Sequence, residues 1–299
     1  MKKNILKTIL CIMCLANVGC TKDNILNSSL EDIDVVIIAG QSNAVGCSFW
    51  SYLNKDELDM YRRGFSTTKI RFSCDEGSNN SKIFTNVKTG QGHSTMAFGP
   101  ELGMAKYFDD NQESINKTTY IIKYAVGGTM LYDRWRSPSS EDAVNGTGDL
   151  YTKFIDYCHE SIGILSKKGF NPIVRAICWM QGESDAGINA NRYKELEGNF
   201  INDVCDELSK YNEEHTINFI DAAISESPAW VNYKVINQAK KENCELDAEN
   251  RYYIDTIKEG LTYDLEPKDN PDIYHYDAES MIKLGTLFAQ VLIGNTIIY

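Results

Sequence analysis

Short runs rich in apolar residues recur along the chain, and we predict that they form the strands of a sheet. They are Val35–Ala39, Lys69–Phe72, Tyr120–Val126, Ile173–Met180, Ile217–Ile224 and Tyr252–Thr256. Several of these runs are apolar at consecutive positions, which is typical of strands covered on both faces. Strands of this kind occur in mostly parallel sheets.

Segments with apolar residues three or four positions apart lie between several of these runs, and this spacing predicts helices. They are Leu150–Leu165, Asn191–Leu208, Val231–Glu242 and Ala278–Ile293. Strands alternating with helices indicate the α/β class, with helices covering both faces of a mostly parallel sheet. The stretch 47–90 is less regular and 133–148 is polar, so we predict loops there, the first of them around a cleft.

The first twenty residues have the pattern of a secretory leader. Three lysines precede an apolar run from Thr8 to Ala16, and small residues precede Cys20. The run is shorter than the roughly 18–20 residues that a spanning helix needs. A cysteine after a small residue resembles the bacterial lipoprotein signal, in which that cysteine is lipidated, although Asn17 stands where leucine is usual.

These features predict a signal peptide over residues 1–19, an anchor cysteine and polar tether over 20–32, and one domain over 33–299. The protein is then exported and held at the cell envelope by a lipid on Cys20, with the membrane side left open. That lipid is the only membrane contact we predict.

The composition argues against nucleic acid as a partner. The formal charge of the 299 residues is -12, and removing residues 1–19 takes away three lysines and no acids, which gives -15. Such a surface repels phosphate backbones. It is compatible with a neutral sugar as substrate.

Nine cysteines become six once Cys11, Cys14 and Cys20 are assigned to the leader and anchor. The six show no CxxC spacing, which argues against a zinc site, and we predict no metal or cofactor. Cys47 and Cys74 flank one insertion and either pair in an oxidising compartment or remain free thiols.

Polar residues with chemical potential follow three of the predicted strands. Ser42 lies in GQSN after the first run, the pair Gly127-Gly128 follows YIIKYAV, and Gln181 opens QGESD after IVRAICWM. In open parallel sheets the site lies at the carboxyl ends of the strands. Ser42 is then a nucleophile, a helix N-cap or part of an anion cradle, although GQSNAVG lacks the lysine and spacing of a P-loop.

A serine nucleophile needs a base, and the chain offers four histidines. His159 and His215 lie in a helical run and a polar stretch and suit surface or packing positions. His93, in a glycine-rich loop, is a competitor and a candidate for substrate binding. His275 follows Asp272 by three residues, so one turn would bring that carboxylate to the imidazole Nδ1.

The QGESD segment allows two interpretations. The side-chain amide of Gln181 would serve as a donor to an oxyanion, with Gly127-Gly128 supplying a backbone amide. Glu183 and Asp185 are alternatively the paired acids of a glycosidase, although two carboxylates in one loop are poorly placed to flank a bond. Glu183 is more plausible as a residue that ties neighbouring loops together.

The segments GQSNAVG, FGPELGMA, YAVGGT, WMQGESDA and DIYHYDAESMIKLG resemble the blocks of the SGNH-hydrolase superfamily, in its sialate O-acetylesterase and carbohydrate esterase family 6 branch. The resemblance implies a three-layer α/β/α, flavodoxin-like fold and metal-free removal of O-acetyl groups from sugars. It implies Ser42 as nucleophile, His275 as base and Asp272 as its partner. It also implies an oxyanion hole and supporting residues, namely Ser42, Gly127, Gly128 and Gln181, then Gln41, Asn43 and Glu183.

The expected partner is an O-acetylated carbohydrate, with sialic acid and acetylated polysaccharides such as xylan both open. Arg134 and Arg136, beside Trp135, are candidates to bind a sialate carboxylate, or else solvated loop residues. An inactive glycan-binding lipoprotein on the same scaffold is the main alternative function. The sequence leaves the oligomeric state open.

Overall fold

The computed structural model describes residues 30–113, 115, 117–212, 216–295 and 297. The predicted signal peptide, Cys20, most of the tether and His215 lie outside the described residues. Glu31–Tyr299 is one compact unit. In the part of the chain that the structure describes, no helix combines the length and the apolar character needed to cross a membrane.

The strands and helices alternate along the chain. The strands are β1 (Glu31–Gly40), β2 (Ser48–Phe49), β3 (Phe65–Cys74), β4 (Asn79–Asn80), β5 (Thr85–Val87), β6 (Ala97–Phe98), β7 (Thr119–Ala125), β8 (Phe170–Met180), β9 (Asn218–Ala222) and β10 (Arg251–Ile254). The helices are α1 (Ser42–Val45), α2 (Lys55–Arg63), α3 (Pro100–Asp110), α4 (Asp149–Lys167), α5 (Tyr193–Leu208), α6 (Tyr233–Glu245) and α7 (Ala278–Gly294).

The long strands form one sheet in the order β10-β9-β8-β1-β7-β3-β4, with β5 also paired to β3. Every pairing among β1, β3, β7, β8, β9 and β10 is parallel, and the short β4 and β5 run antiparallel to β3. From β1 the chain first forms β3 and then β7 on one side, with β7 inserted between β1 and β3, and it then adds β8, β9 and β10 in turn on the other side. The carboxyl end of β1 is therefore the topological switch point, where ligands bind in sheets of this type.

Helices cover both faces of the sheet. Consecutive residues of a strand point to opposite faces, and on β7 the Lys123 ammonium reaches Glu101 of α3 while the ring of Tyr124 packs on Phe154 of α4. Helix α7 packs on α3, and α5 packs on α6. The ring of Trp135 lies against both Phe154 of α4 and Phe200 of α5, so these two helices share a face. The predicted three-layer α/β/α fold with a mostly parallel sheet is confirmed.

Each predicted strand and helix overlaps an observed one, with ends that differ by a few residues. The apolar β1 explains this agreement, because Val35 to Ala39 are fully buried between two helical layers. The prediction of loops was incomplete for 47–90, since that stretch contains α2 and β3 as well as connecting segments. The polar stretch 133–148 is a loop with one short 3-10 helix at Pro138–Ser140.

Candidate active site

Ser42 lies in a sharp turn that only glycine permits at its start. Gly40 ends β1 with φ 138°, and a Cβ there would lie 1.9 Å from the carbonyl oxygen of Met180. The next amide, that of Gln41, donates to the same carbonyl at 3.0 Å. This close contact between β1 and β8 delivers Ser42 to the carboxyl edge of the sheet, where its side chain keeps 8 % exposure.

The residues on either side of Ser42 hold the loops of the site together. Asn43 donates from Nδ2 to Oε1 of Glu183 at 2.8 Å, and its Oδ1 accepts from the backbone amide of Tyr276 at 3.0 Å. Gln41 accepts from the Ser184 amide at 3.2 Å. The structure therefore brings the three predicted supporting residues, Gln41, Asn43 and Glu183, around the serine.

Asp272 and His275 form the predicted pair. The Asp272 carboxylate lies 2.7 Å from Nδ1 of His275 and also accepts from the Tyr274 amide at 3.0 Å. The histidine side chain is 24 % exposed and that of the aspartate 42 %. The contact is as predicted, and the catalytic roles stay predictions.

Tyr276, the residue after His275, is hydrogen-bonded to the serine turn and so holds the histidine near it. Its amide and carbonyl are held by Asn43 and by the Ser48 hydroxyl, the latter at 2.6 Å. Its own hydroxyl lies in the core and donates to the Thr256 hydroxyl at 3.0 Å. Because adjacent Cα atoms are about 3.8 Å apart, the contact between Asn43 and Tyr276 puts Ser42 and His275 at the same edge of the sheet.

Two backbone amides remain available for an oxyanion. A Cβ built on Gly127 would lie 3.5 Å from that of Ser42, so this glycine adjoins the serine, but its amide donates to Oδ1 of Asp75 at 2.8 Å. The amides of Ser42 and Gly128 have no hydrogen-bond partner among the described residues. Of the predicted glycine pair, Gly128 is thus the free donor and Gly127 is occupied.

The structure leaves the side-chain amide of Gln181 without a free donor, which argues against its assignment to the oxyanion hole. The side chain is fully buried. Its Nε2 donates to Oδ2 of Asp185 at 2.7 Å and to the Thr129 carbonyl at 3.1 Å, and its Oε1 accepts from the Tyr193 hydroxyl at 2.8 Å. With its donors and acceptor in use, this amide braces the loop after β8.

Glu183 and Asp185 are buried and do not flank a cleft, which is unfavourable to the glycosidase interpretation. Asp185 accepts from the amides of Leu131 and Tyr132 and so ties the loop after β8 to the loop after β7. Burial raises the pKa of the Glu183 carboxyl. Its Oε2 has no partner within the described part of the chain.

Asp185 predicts a pH dependence of stability. Burial raises its pKa from 3.8 to about 6, so between these values the unfolded chain releases a proton that the folded chain keeps. The contribution of this group to the unfolding free energy therefore falls as the pH rises from about 4 to about 6, by up to about 3 kcal/mol. Urea unfolding of Asp185→Asn is expected to show a flatter pH dependence over this window, and equal slopes for variant and wild type would contradict the assignment.

The predicted carboxylate-binding residues make contacts within the protein, although the Arg134 side chain keeps 33 % exposure, which agrees with the alternative of a solvated loop arginine. Arg134 makes a bidentate pair with Asp149 at 2.9 and 2.6 Å and also contacts Glu76. Trp135 is fully buried, and Arg136 is 1 % exposed with its guanidinium on the carbonyls of Tyr132 and Ser140. The aromatic core under the loop explains the burial of Trp135 and of Arg136 beside it.

His93 belongs to a second carboxylate–imidazole pair close to the serine turn. Its Nδ1 lies 2.6 Å from Oδ2 of Asp75, the residue that accepts the Gly127 amide. His159 contacts the Tyr211 hydroxyl and Glu207, as expected for a surface position. Asp75 was missed in the sequence, because an acid after a strand in a polar insertion is an ordinary loop residue.

Cys47 and Cys74 are free thiols in this structure. Burial raises the pKa of both, that of Cys74 to about 12, so neither is a reactive thiolate. Among the described residues, no cluster of three or more histidine, cysteine or acidic side chains is arranged to hold a metal ion.

Comparison with known proteins gives one family match. Residues 32–294 match the family model described as carbohydrate esterase, sialic acid-specific acetylesterase. A search of curated proteins found no match.

Solved structures with a similar fold include a protein from Arabidopsis thaliana, with a TM-score of 0.63 and 18 % identity over 88 % of this chain and 98 % of that one. NanS has a TM-score of 0.59 and 14 % identity over 89 % and 98 %. A carbohydrate acetylesterase from Xanthomonas citri has a TM-score of 0.56 and 13 % identity over 87 % of this chain and 56 % of its own. At these identities the likeness shows the fold.

Proposed function

The chain belongs to the carbohydrate esterase family of sialic acid-specific acetylesterases, and from this premise we propose that it removes O-acetyl groups from sugars with Ser42 as nucleophile. One observation carries the serine mechanism. Asn43, next to the serine, is hydrogen-bonded to the peptide that follows the His275–Asp272 pair. An aspartate–histidine pair held next to a serine is what a serine esterase requires, and it favours the enzyme over an inactive glycan-binding protein.

The proposed reaction begins with proton transfer from the Ser42 hydroxyl to Nε2 of His275, whose Nδ1–H faces Asp272. The serine oxygen attacks the acetyl carbonyl, and the amides of Ser42 and Gly128 donate to the oxyanion. The ester bond to the sugar then breaks as His275 returns the proton to the sugar oxygen. Water activated by the same histidine attacks the acetyl-serine, which releases acetate and restores the hydroxyl.

An uncharged sugar suits the site better than a sialate. The two arginines that would pair with a carboxylate are held by Asp149 and Glu76 or buried on backbone carbonyls. The two carboxylate–imidazole pairs near the serine turn bring in the carboxylates of Asp75 and Asp272. The chain as a whole carries a formal charge of -12. Negative charge of this kind disfavours an anionic ligand.

Acetate release from a panel of O-acetylated sugars tests both the esterase function and the preference for an uncharged sugar. We expect hydrolysis of O-acetylated xylo-oligosaccharides with a kcat/KM at least about tenfold above that for O-acetylated sialosides, and a weak response of the neutral reaction to salt. A preference for the sialosides would overturn the uncharged substrate and leave the esterase mechanism standing. Absence of acetate release from either sugar would overturn the function.

We also propose export and anchoring through Cys20. The cationic head, short apolar run and small residues before this cysteine support the proposal. Labelling with a radioactive fatty acid tests it directly. Cys20→Ser is expected to abolish labelling and to release the protein from the membrane fraction, and persistent labelling of the variant would contradict it.

A further inference from the structure

The segment after β3 has an unusual backbone. Asp75 and Glu76 are consecutive non-glycine residues with φ of 47° and 55°, in the left-handed region. Non-glycine residues adopt this region at a cost in free energy, and the conformation persists where surrounding contacts enforce it. Here Glu76 is held by Lys153 at 2.6 Å and by Arg134 at 3.1 Å.

This backbone aims the Asp75 carboxylate at two groups beside Ser42. Oδ1 accepts from the Gly127 amide, and Gly127 adjoins the serine. Oδ2 lies 2.6 Å from Nδ1 of His93. The backbone amide of His93 in turn donates to the carbonyl of Gly46, the C-cap residue that follows α1.

His93 is therefore exposed and yet fixed. Its side chain is 59 % exposed, and an exposed side chain normally keeps its rotamer freedom, which costs free energy to lose. Because Nδ1 faces a carboxylate, we assign the ring proton to Nδ1, which leaves Nε2 of the neutral ring as a hydrogen-bond acceptor. Nε2 has no partner among the described residues.

We propose that His93 binds a hydroxyl of the sugar that carries the acetyl group, and that Asp75 is the positioning residue that orients it. The proposal rests on the esterase function. The sugar is joined to the acetyl carbonyl through one ester oxygen, so its ring must lie within a few ångströms of Ser42. The hydrogen bonds of this pair to Gly46 and Gly127 hold it next to the serine turn. The acceptor Nε2 matches the hydroxyl groups of a neutral sugar, and Arg134 and Arg136 are committed elsewhere.

Two substrates that share the acetyl group separate this role from catalysis. We use the better sugar substrate of the panel above, acetylated xylo-oligosaccharide or acetylated sialoside, together with 4-nitrophenyl acetate, which has no sugar. His93→Ala is expected to lower kcat/KM on the sugar about tenfold, mainly through KM, as loss of one hydrogen bond to a ligand does. On 4-nitrophenyl acetate we expect a change of less than about twofold.

Asp75→Asn tests the orientation. Its amide would donate to Nδ1 and so turn Nε2 into a donor, to which a sugar hydroxyl can still accept a hydrogen bond. We therefore expect a sugar-selective loss smaller than that of His93→Ala. The double variant should lose no more than His93→Ala alone, because both residues act through one contact. His159→Ala is the matched control, since His159 also pairs with a carboxylate, that of Glu207, and it should change neither substrate.

The outcomes are distinct. Equal loss on both substrates for His93→Ala would make His93 a base or a structural residue and overturn the proposal, as would no change on either. Additive losses in the double variant would overturn the positioning role of Asp75. Failure of the wild type to release acetate from either sugar would overturn the esterase function, and this proposal with it.

Discussion

Replacing Ser42 with alanine is expected to lower kcat/KM for acetate release by at least about 10⁴-fold, because the hydroxyl is the bond-forming atom and loss of a nucleophile typically costs this much. The alanine removes one oxygen from a side chain that is 8 % exposed and accepts no described hydrogen bond. The melting temperature should therefore stay within a few degrees of the wild-type value.

The measurement is acetate release from the best acetylated sugar, with mass spectrometry of the protein during turnover. Wild type should accumulate an acetyl group on Ser42 if deacylation is slow, and the variant should carry none. Ser209→Ala is the control, because Ser209 lies after α5 and donates to the carbonyl of Asp206. A Ser42→Ala enzyme with wild-type turnover would refute the serine mechanism.

Replacing His275 with glutamine is expected to lower kcat/KM by at least about 10³-fold, since no group would then accept the serine proton. Asp272→Asn should cost less, because the carboxylate is 42 % exposed and water screens its pairing with the imidazole. Both losses should appear equally on the acetylated sugar and on 4-nitrophenyl acetate. This distinguishes them from the effect expected of His93→Ala.

His93→Gln provides an independent check on the assignment of the base. If His93→Gln lowers kcat/KM equally on both substrates and His275→Gln leaves it unchanged, the roles of the two histidines are reversed.

The sequence was sufficient to predict the three layers of the fold and the contact between Asp272 and His275. Burial on both faces of the strands produces unbroken apolar runs, and a three-residue spacing closes within one turn. Helix α3 escaped prediction because Gly103 interrupts its helical pattern, although Gly99 at its N-cap and Pro100 at its first position are ordinary residues for a helix start. Gly103 is needed there, since a Cβ would lie 1.9 Å from the carbonyl oxygen of Ile282 in α7.

Side-chain direction is what the sequence could not supply. Gln181 follows a strand and was expected to face the cleft, but it turns into the core, where Tyr193 and Asp185 use both ends of its amide. Lys123, in the middle of an apolar strand, is fully buried and holds Glu101 and the carbonyl of Val45 at 2.7 and 2.9 Å. Such partners lie far away in sequence, so no local pattern identifies them.

The tie between Asn43 and Tyr276 joins residues that are 233 positions apart. During synthesis the serine turn therefore leaves the ribosome long before its histidine does. A chain terminated before His275 holds the serine without the imidazole, and under the proposed mechanism it would not hydrolyse esters.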